Sequence, residues 1–453
     1  MDMPTTPPGV DGGGLLAGRL SADDYERNFA DAHPPLTRAQ ALVEADRCYY
    51  CHDAPCTAAC PTGIDVPTFI QRIAQDNLRG AAHTILDANV MGGMCARVCP
   101  TEVLCEQACV RNLHEGKPVE IGLLQRHATD AYFASPGAPL FSRAAPSGRR
   151  VAVVGAGPAG LAAAHRLALL GHEVVLHEAR PRLGGLNEYG LATYKTTGGF
   201  ARREIEWLLS IGGIEVRHGQ VLGRDFTLQA LLQAHDAVFL GLGLAGVNAL
   251  GIPEPALAGV RDAVDFIAEL RQAAHPAEVP VGRQVVVIGG GMTAVDAAVQ
   301  CRLLGAREVH IVYRRGPEDM GASRHEQRWA QTQGVTIRHW AAPRDLLAED
   351  GVLRGVRFAV TRQAGGRLAE TGESFVLPAD LVLKAIGQRS EADQAAPEIE
   401  RLEGRILTDA DGRTSHPRVW AGGDCRHGGR DLTVEAVEHG KRAAVAIDRA
   451  LRA

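Results

Sequence analysis

Two stretches of this chain repeat one pattern, and the pattern admits few folds. RRVAVVGAGPAGLAAAHRLALLGHEVVLHEA and, later, RQVVVIGGGMTAVDAAVQCRLLGAREVHIVYRR each spell an apolar run, a glycine turn, a helix and a second apolar run. An apolar run without alternation reads as a parallel strand covered on both faces, and a strand–helix–strand crossover builds a parallel sheet. In the first stretch Gly155, Gly157 and Gly160 follow the strand Val151–Val154 directly. The first glycine permits a tight turn, the second lets backbone approach a pyrophosphate, and the third lets helix pack on strand. Ala156, Pro158 and Ala159 complete the turn and open the helix, whose free N–H groups and dipole favour an anion. Glu178 ends the next strand, where a carboxylate can bond a ribose hydroxyl.

The second turn carries Gly289, Gly290, Gly291, Met292 and Thr293, with Ala294 in the third fingerprint position. Its following strand ends in Tyr313-Arg314-Arg315 and has no acid there. Arg314 and Arg315 suit a 2′-phosphate, so NADPH is favoured over NADH. Two dinucleotide turns in one chain imply a resident flavin, FAD, at one and a transient nicotinamide at the other. Gly423 and Asp424 follow the apolar run VWA. Asp424 is placed to bond ribityl hydroxyls, and a helix from Thr433 would point its N-terminus at the flavin. Ala385, Ile386 and Gly387 close another apolar strand and would line the nicotinamide side. Because VWAGGD returns to the first nucleotide domain, the second domain is inserted within it.

Eight of the ten cysteines lie between residues 48 and 109. They run Cys48-x2-Cys51-x4-Cys56-x3-Cys60-Pro61 and Cys95-x3-Cys99-Pro100-x4-Cys105-x3-Cys109. No cysteine lies between Cys109 and Cys301, so no redox dithiol sits beside the first fingerprint, and the N-terminal cysteines are the evident electron route. Cys-Pro endings and runs of thiolates favour iron–sulfur ligation. Structural zinc remains open as a second reading, because short spacers also suit tetrahedral sites. Cys48-Tyr49-Tyr50-Cys51-His52 formally matches a haem-attachment pattern, but it would leave six nearby cysteines unexplained.

Net charge of -5 without a basic run argues against nucleic acid as a partner. No apolar stretch nears the ~20 residues of a membrane helix. MDMPTTPPGVDGGG lacks the charged and apolar regions of a signal peptide, which points to the cytoplasm, where thiols stay reduced. The expected organisation is a flexible tail over 1–36, a helical double-cluster domain over 37–140, and an FAD domain over 145–250 completed by 386–453. An NAD(P)H domain over 255–385 lies between its two parts. The fold class is α/β: an N-terminal α-helical iron–sulfur domain, then two Rossmann-like domains.

CHDAPCTAACPTGIDVPTFI, GGMCARVCPTEVLCEQAC, IGLLQRHATD and GAGPAGLAAA together resemble the N-terminal half of dihydropyrimidine dehydrogenase, a plan shared with the glutamate synthase small subunit. The resemblance spans about residues 37–453 and implies FAD, a nicotinamide cofactor and two [4Fe-4S] clusters. It implies that Cys48, Cys51, Cys56 and Cys109 hold one cluster. Cys60, Cys99, Cys105 and the unusual ligand Gln125 would hold the other, with Cys95 left out. A glutamine at that position points to the dihydropyrimidine dehydrogenase branch. Gly185, Leu186 and Lys195 would also meet the flavin, although GLATYKTTGG departs from the family pattern and puts Lys195 where an arginine is usual. Gly321 stands where NADPH users can carry a further basic residue, with Arg324 close by.

The resemblance implies an electron-input subunit in which the cofactors carry the hydride chemistry and no side chain must act as acid or base. The chain has no residues left for a pyrimidine-reducing barrel. An FMN-containing dihydropyrimidine dehydrogenase catalytic subunit is therefore expected as partner in a hetero-oligomer. The alternatives are a glutamate synthase small subunit, a stand-alone NAD(P)H:ferredoxin-type acceptor reductase and, from another class, a non-catalytic sensor.

Overall fold

The computed structural model describes residues 14–135 and 137–453. The chain forms two compact units. One is Asp31–Val247 with Gln388–Ala453; the other is Asn248–Gly387 with the N-terminal segment through Ala30.

The larger unit begins with a helical region. Helix Val66–Ala74 buries Val66, Phe69, Ile70 and Ile73, a stripe at the 3.6-residue period, and Asp65 caps it by accepting from Thr68 N–H. Helix Leu78–Ala88 is capped by Asn77 and buries Ala81, Ala82, Ile85 and Leu86. Both pack with helix Ile121–Ala134 around a core that includes Phe69, Ile70, Ile85 and Leu124. Helix Gly92–Val98 also packs on Ile121–Ala134, so cysteines and glutamine share one small bundle.

The sheet of this unit has five parallel strands. Their order is Val419–Ala421, Ala237–Leu240, Arg150–Val154, Glu173–Glu178, Ile214–His218. The last strand of the chain thus lies at the edge of the first nucleotide sheet. Helix Pro158–Leu169 is clamped between that sheet and the C-terminal helix Thr433–Arg452. The two helices meet at Gly440, where a Cβ would run into the Ala159 carbonyl oxygen. The smaller unit repeats the plan with strands Val260–Asp262, Leu381–Ala385, Gln284–Gly289, Glu308–Val312 and Thr336–Arg338, all parallel. A three-stranded antiparallel sheet, Ala341–Glu349, Val352–Ala364 and Arg367–Pro378, packs Val356 and Phe358 into the same core.

The N-terminal segment, expected to be a flexible tail, is docked over its described part. Ser21 caps helix Ala22–Asn28, and Tyr25 is 2% exposed with its ring edge-on to His275. Leu16 pairs with Val281, and the Arg19 and Asn28 side chains donate to the Val281 and Leu303 carbonyls. The Pro/Gly-rich composition that suggested a tail belongs to residues 1–13, which lie outside the described residues; the capped helix after it carries its own anchors. Among the described residues no helix is long and apolar enough to cross a membrane.

Candidate functional site

At the first fingerprint the three glycines have different surroundings. Gly155 has φ 93°, and a Cβ there would strike the Gly241 carbonyl. A Cβ on Gly160 would strike the Gly155 carbonyl. Gly157, in contrast, meets nothing nearer than the Gly185 Cα, 3.9 Å from an added Cβ, and it is the N-cap of helix Pro158–Leu169. The outer glycines serve packing, and the middle one keeps space free at a helix N-terminus, as a pyrophosphate requires. Glu178 is 7% exposed and braces this turn: its carboxylate accepts from Ala156 N–H at 2.7 Å and Arg180 N–H at 2.8 Å.

Two other expected flavin residues, Gly423 and Gly185, lie at the same helix start, against Ala159 and Gly157. Gly423 has φ 75°; an added Cβ would lie 3.0 Å from Ala159 Cβ, and its N–H donates to His439 Nδ1 at 3.3 Å. Burial pushes the Asp424 carboxyl up to about 7, with Asp431 adding to the shift and Arg405 opposing it. Gly185 has φ 54° and is the N-cap of the one-turn helix Leu186–Tyr189. Thr433 donates from its hydroxyl to Asn187 Oδ1 at 2.9 Å, tying the C-terminal helix to that turn. Leu186 is 37% exposed, and Lys195 is half-buried in the turn Thr193–Lys195.

The second turn has the same logic with a more open front. A Cβ on Gly289 (φ 147°) would strike the Ala385 carbonyl, so the end of strand Leu381–Ala385 fixes this glycine. Gly290 lies under the Tyr313 ring, whose hydroxyl donates to the Asp319 carbonyl at 2.6 Å. Nothing lies within 4 Å of a Cβ added to Gly291, the N-cap of the helix that Met292 and Thr293 begin. Arg314 and Arg315 are exposed, while their carbonyls accept from Thr361 Oγ1 and Trp340 N–H. Gly321 abuts Gly291, and the neighbouring Ala322 N–H donates to Gly290 O at 2.9 Å. Arg324 pairs with Glu318 at 3.4 Å. Ile386 is half-buried and Gly387 exposed, with φ 92°.

The cysteines fall into two groups. Cys48, Cys51, Cys56 and Cys109, which span 62 residues of chain counted inclusively, line one cavity together with Pro55 and Arg111. Cys60, Cys99 and Cys105 lie close enough to couple electrostatically, and Cys95, 2% exposed, hydrogen-bonds Cys99. Burial pushes the Cys56 thiol up to about 12. The hydrogen bond that the Cys99 thiol donates to Cys95, and then burial, hold Cys99 well above the ordinary thiol range, and burial does the same to Cys105. Thiols in this condition do not ionise unaided; they become ligands when a cation supplies the compensating charge. Tyr50 N–H points at Cys48 Sγ at 3.4 Å, and the Thr62 hydroxyl lies 3.3 Å from Cys60 Sγ, contacts of the kind that tune a sulfur-ligated cluster. Gln125 is 8% exposed, and its Nε2 donates to Gly92 O at 2.6 Å. That bond fixes the amide against the helix carrying Cys95 and Cys99.

Sequence reasoning missed Glu204, which is 0% exposed and accepts from the N–H groups of Gly93 and Met94. The signal was available: in FARREIEWLL, Phe200, Glu204 and Leu208 share the buried face at four-residue spacing, so an acid sits on an apolar stripe.

Two dinucleotide turns, one enclosed and one open, and two groups of buried and half-buried thiols in one chain define a nicotinamide-dependent flavin and iron–sulfur oxidoreductase. Residues 25–136 match the model of dihydropyrimidine dehydrogenase domain II, 4Fe-4S cluster, and residues 149–440 match pyridine nucleotide-disulphide oxidoreductase. The chain is 34% identical over 423 residues to the NAD-dependent dihydropyrimidine dehydrogenase subunit PreT of Salmonella typhimurium, covering 93% of this chain and 97% of the relative. It is 33% identical over 439 residues to the glutamate synthase [NADPH] small chain of Escherichia coli, covering 92% of each. NADPH-bound FprA of Mycobacterium tuberculosis shares the fold (TM-score 0.57, 21% identity, 67% of this chain and 84% of that one). The chain belongs to the family of NAD(P)H-dependent flavin iron–sulfur oxidoreductases that contains these two subunits.

Proposed function

We propose that this protein is the electron-input subunit of a dihydropyrimidine dehydrogenase. In this reading the chain would hold FAD, which would supply hydride acceptance from NAD(P)H, and two [4Fe-4S] clusters, which would supply single-electron transfer toward an FMN-containing partner that reduces uracil or thymine to the 5,6-dihydropyrimidine. Gly157, Gly185, Glu178, Gly423 and Asp424 hold FAD. Gly291, Met292 and Thr293 present helix N–H groups to the pyrophosphate of the nicotinamide dinucleotide. Exposed Arg314 and Arg315 receive a 2′-phosphate, which favours NADPH. One cavity shared by Cys48, Cys51, Cys56 and Cys109 is the single observation that carries this reading, because it gathers the ligand set expected of one cluster from both cysteine runs. Cys60, Cys99, Cys105 and Gln125 hold the second cluster. Protein-held thiolates of this kind suit the reducing cytoplasm.

The glutamate synthase small subunit is the second reading, supported by near-equal identity to that chain. Gln125 favours the first, since a neutral amide replaces the acid expected in glutamate synthase subunits. The test is NAD(P)H-dependent reduction of uracil with and without an FMN-bearing partner. Activity only with the partner supports the proposal. Full activity of the lone chain, or glutamate formation from glutamine and 2-oxoglutarate with a large glutamine-processing subunit, overturns it.

A further inference from the structure

Glu204 lies where the flavin domain meets the cysteine bundle. Its carboxylate accepts from Gly93 N–H at 2.7 Å and from Met94 N–H at 3.2 and 3.3 Å. Those two residues directly precede Cys95, whose thiol hydrogen-bonds Cys99. A Cβ on Gly93 would collide with the Phe200 ring, so the helix Phe200–Leu209 is pressed against this backbone.

Among the described residues no cation pairs directly with Glu204; the nearby ones are engaged elsewhere. Arg97, 3% exposed in its side chain, bonds Asp130 at 2.5 Å and stacks 3.5 Å over the Phe200 ring. Asp130 also pairs with Arg126 at 3.2 Å, and Arg126 pairs with Asp31 at 2.6 Å. Asp31, Arg126, Asp130 and Arg97 form a chain of two acids and two arginines, already neutral in sum. Arg203 on the same helix lies 5.5 Å from the Phe200 ring centroid, and Glu106, next to Cys105, accepts from Gly122 N–H. An ionised Glu204 therefore leaves this buried region with one surplus negative charge, and a protonated Glu204 leaves it neutral.

Building on the iron–sulfur reading, we propose that Glu204 is a proton-coupling residue for the cluster held by Cys60, Cys99, Cys105 and Gln125. One electron, supplied by NAD(P)H through the flavin, reduces the cluster by one unit. Where Glu204 is ionised beforehand, one proton from solvent is bound to one of its oxygens, so the buried region gains no net charge. Low local dielectric makes an uncompensated electron costly, and a carboxylate without a paired cation is the group that yields first. Burial pushes this carboxyl up to about 8, against the opposing bonds from Met94 and Gly93 and the field of Arg97. The sign follows. Below about pH 8 Glu204 already carries its proton before reduction, so the midpoint potential is flat. Above that pH reduction draws a proton in, and the potential falls as pH rises.

The experiment is an anaerobic redox titration of the full holoprotein, read by electron paramagnetic resonance over about pH 6 to 10. The wild type should show the flat-then-falling profile, Glu204→Gln a flat one, and Glu106→Gln the wild-type profile. A wild type flat throughout, or Glu204→Gln retaining the slope, overturns the proposal. A redox infrared difference spectrum of the wild type at about pH 9 needs no variant: a protonated-carboxyl band should grow on reduction, and its absence is equally fatal. If the chain holds no iron and gives no resonance signal, the cluster reading itself fails instead.

Discussion

The two glycine turns start from the same strand–turn–helix plan and are finished differently. The first is enclosed: Gly423 lies on Ala159, Gly440 lets the C-terminal helix press against the fingerprint helix, and Glu178 locks the turn through Ala156. The second leaves its middle glycine facing open space, and its arginines are exposed. A cofactor that stays needs walls from several parts of the chain, whereas one that exchanges each cycle needs a rigid anion cradle and an open front. Two similar fingerprints, one ending in Gly160 and the other in Ala294, thus differ in what packs around them, as a resident and a visiting cofactor would require.

That contrast can be broken most severely at Gly160. Gly160→Ala forces a Cβ into the Gly155 carbonyl and should cost about 3 kcal/mol or more of stability, with loss of FAD, read by thermal melts and flavin absorbance. Gly291→Ala should do the opposite. Its backbone (φ -92°, ψ 179°) and open surroundings accept a methyl, so the melt should hold while the NAD(P)H concentration for half-maximal flavin reduction rises roughly tenfold or more. Arg314→Ala should weaken NADPH by about tenfold and leave NADH unchanged, as expected for a charge-assisted bond worth about 1.5 kcal/mol. Asp424→Asn gives the smallest effect and tests the enclosed side. With its folded value raised to about 7, the carboxyl holds a proton that the unfolded chain releases. Wild-type protein freed of FAD should therefore lose stability as pH rises from the ordinary carboxylate range through about 7, and the asparagine variant should lose less. Equal pH profiles would contradict that assignment.

Both turns were legible in the sequence because their chemistry is local: strand, glycines and helix start lie within ten residues or so of each other. The cysteine groups were legible as residue types, but their grouping rested on family resemblance, since Cys109 reaches the cavity of Cys48 only after the intervening helices fold. Glu204 was legible only as an acid on an apolar stripe; its partners were not, since they lie 110 and 111 positions away. Lys441, which donates to the carbonyls of Thr62 and Ala88 and so ties the C-terminal helix to the cysteine bundle, bridges still longer separations. The docked segment 14–30 misled because composition spread from its glycine-rich start over a capped helix with a buried tyrosine.

In the proposed function electrons enter at the open turn and leave through the cysteines. The most direct test is anaerobic rapid mixing of the iron-analysed protein with NADPH, following flavin absorbance and the cluster resonance together. About eight irons per chain are expected, as two four-iron clusters require, with bleaching of the flavin followed by cluster reduction. Zinc in place of iron, or flavin that bleaches while the clusters stay oxidised, would contradict it.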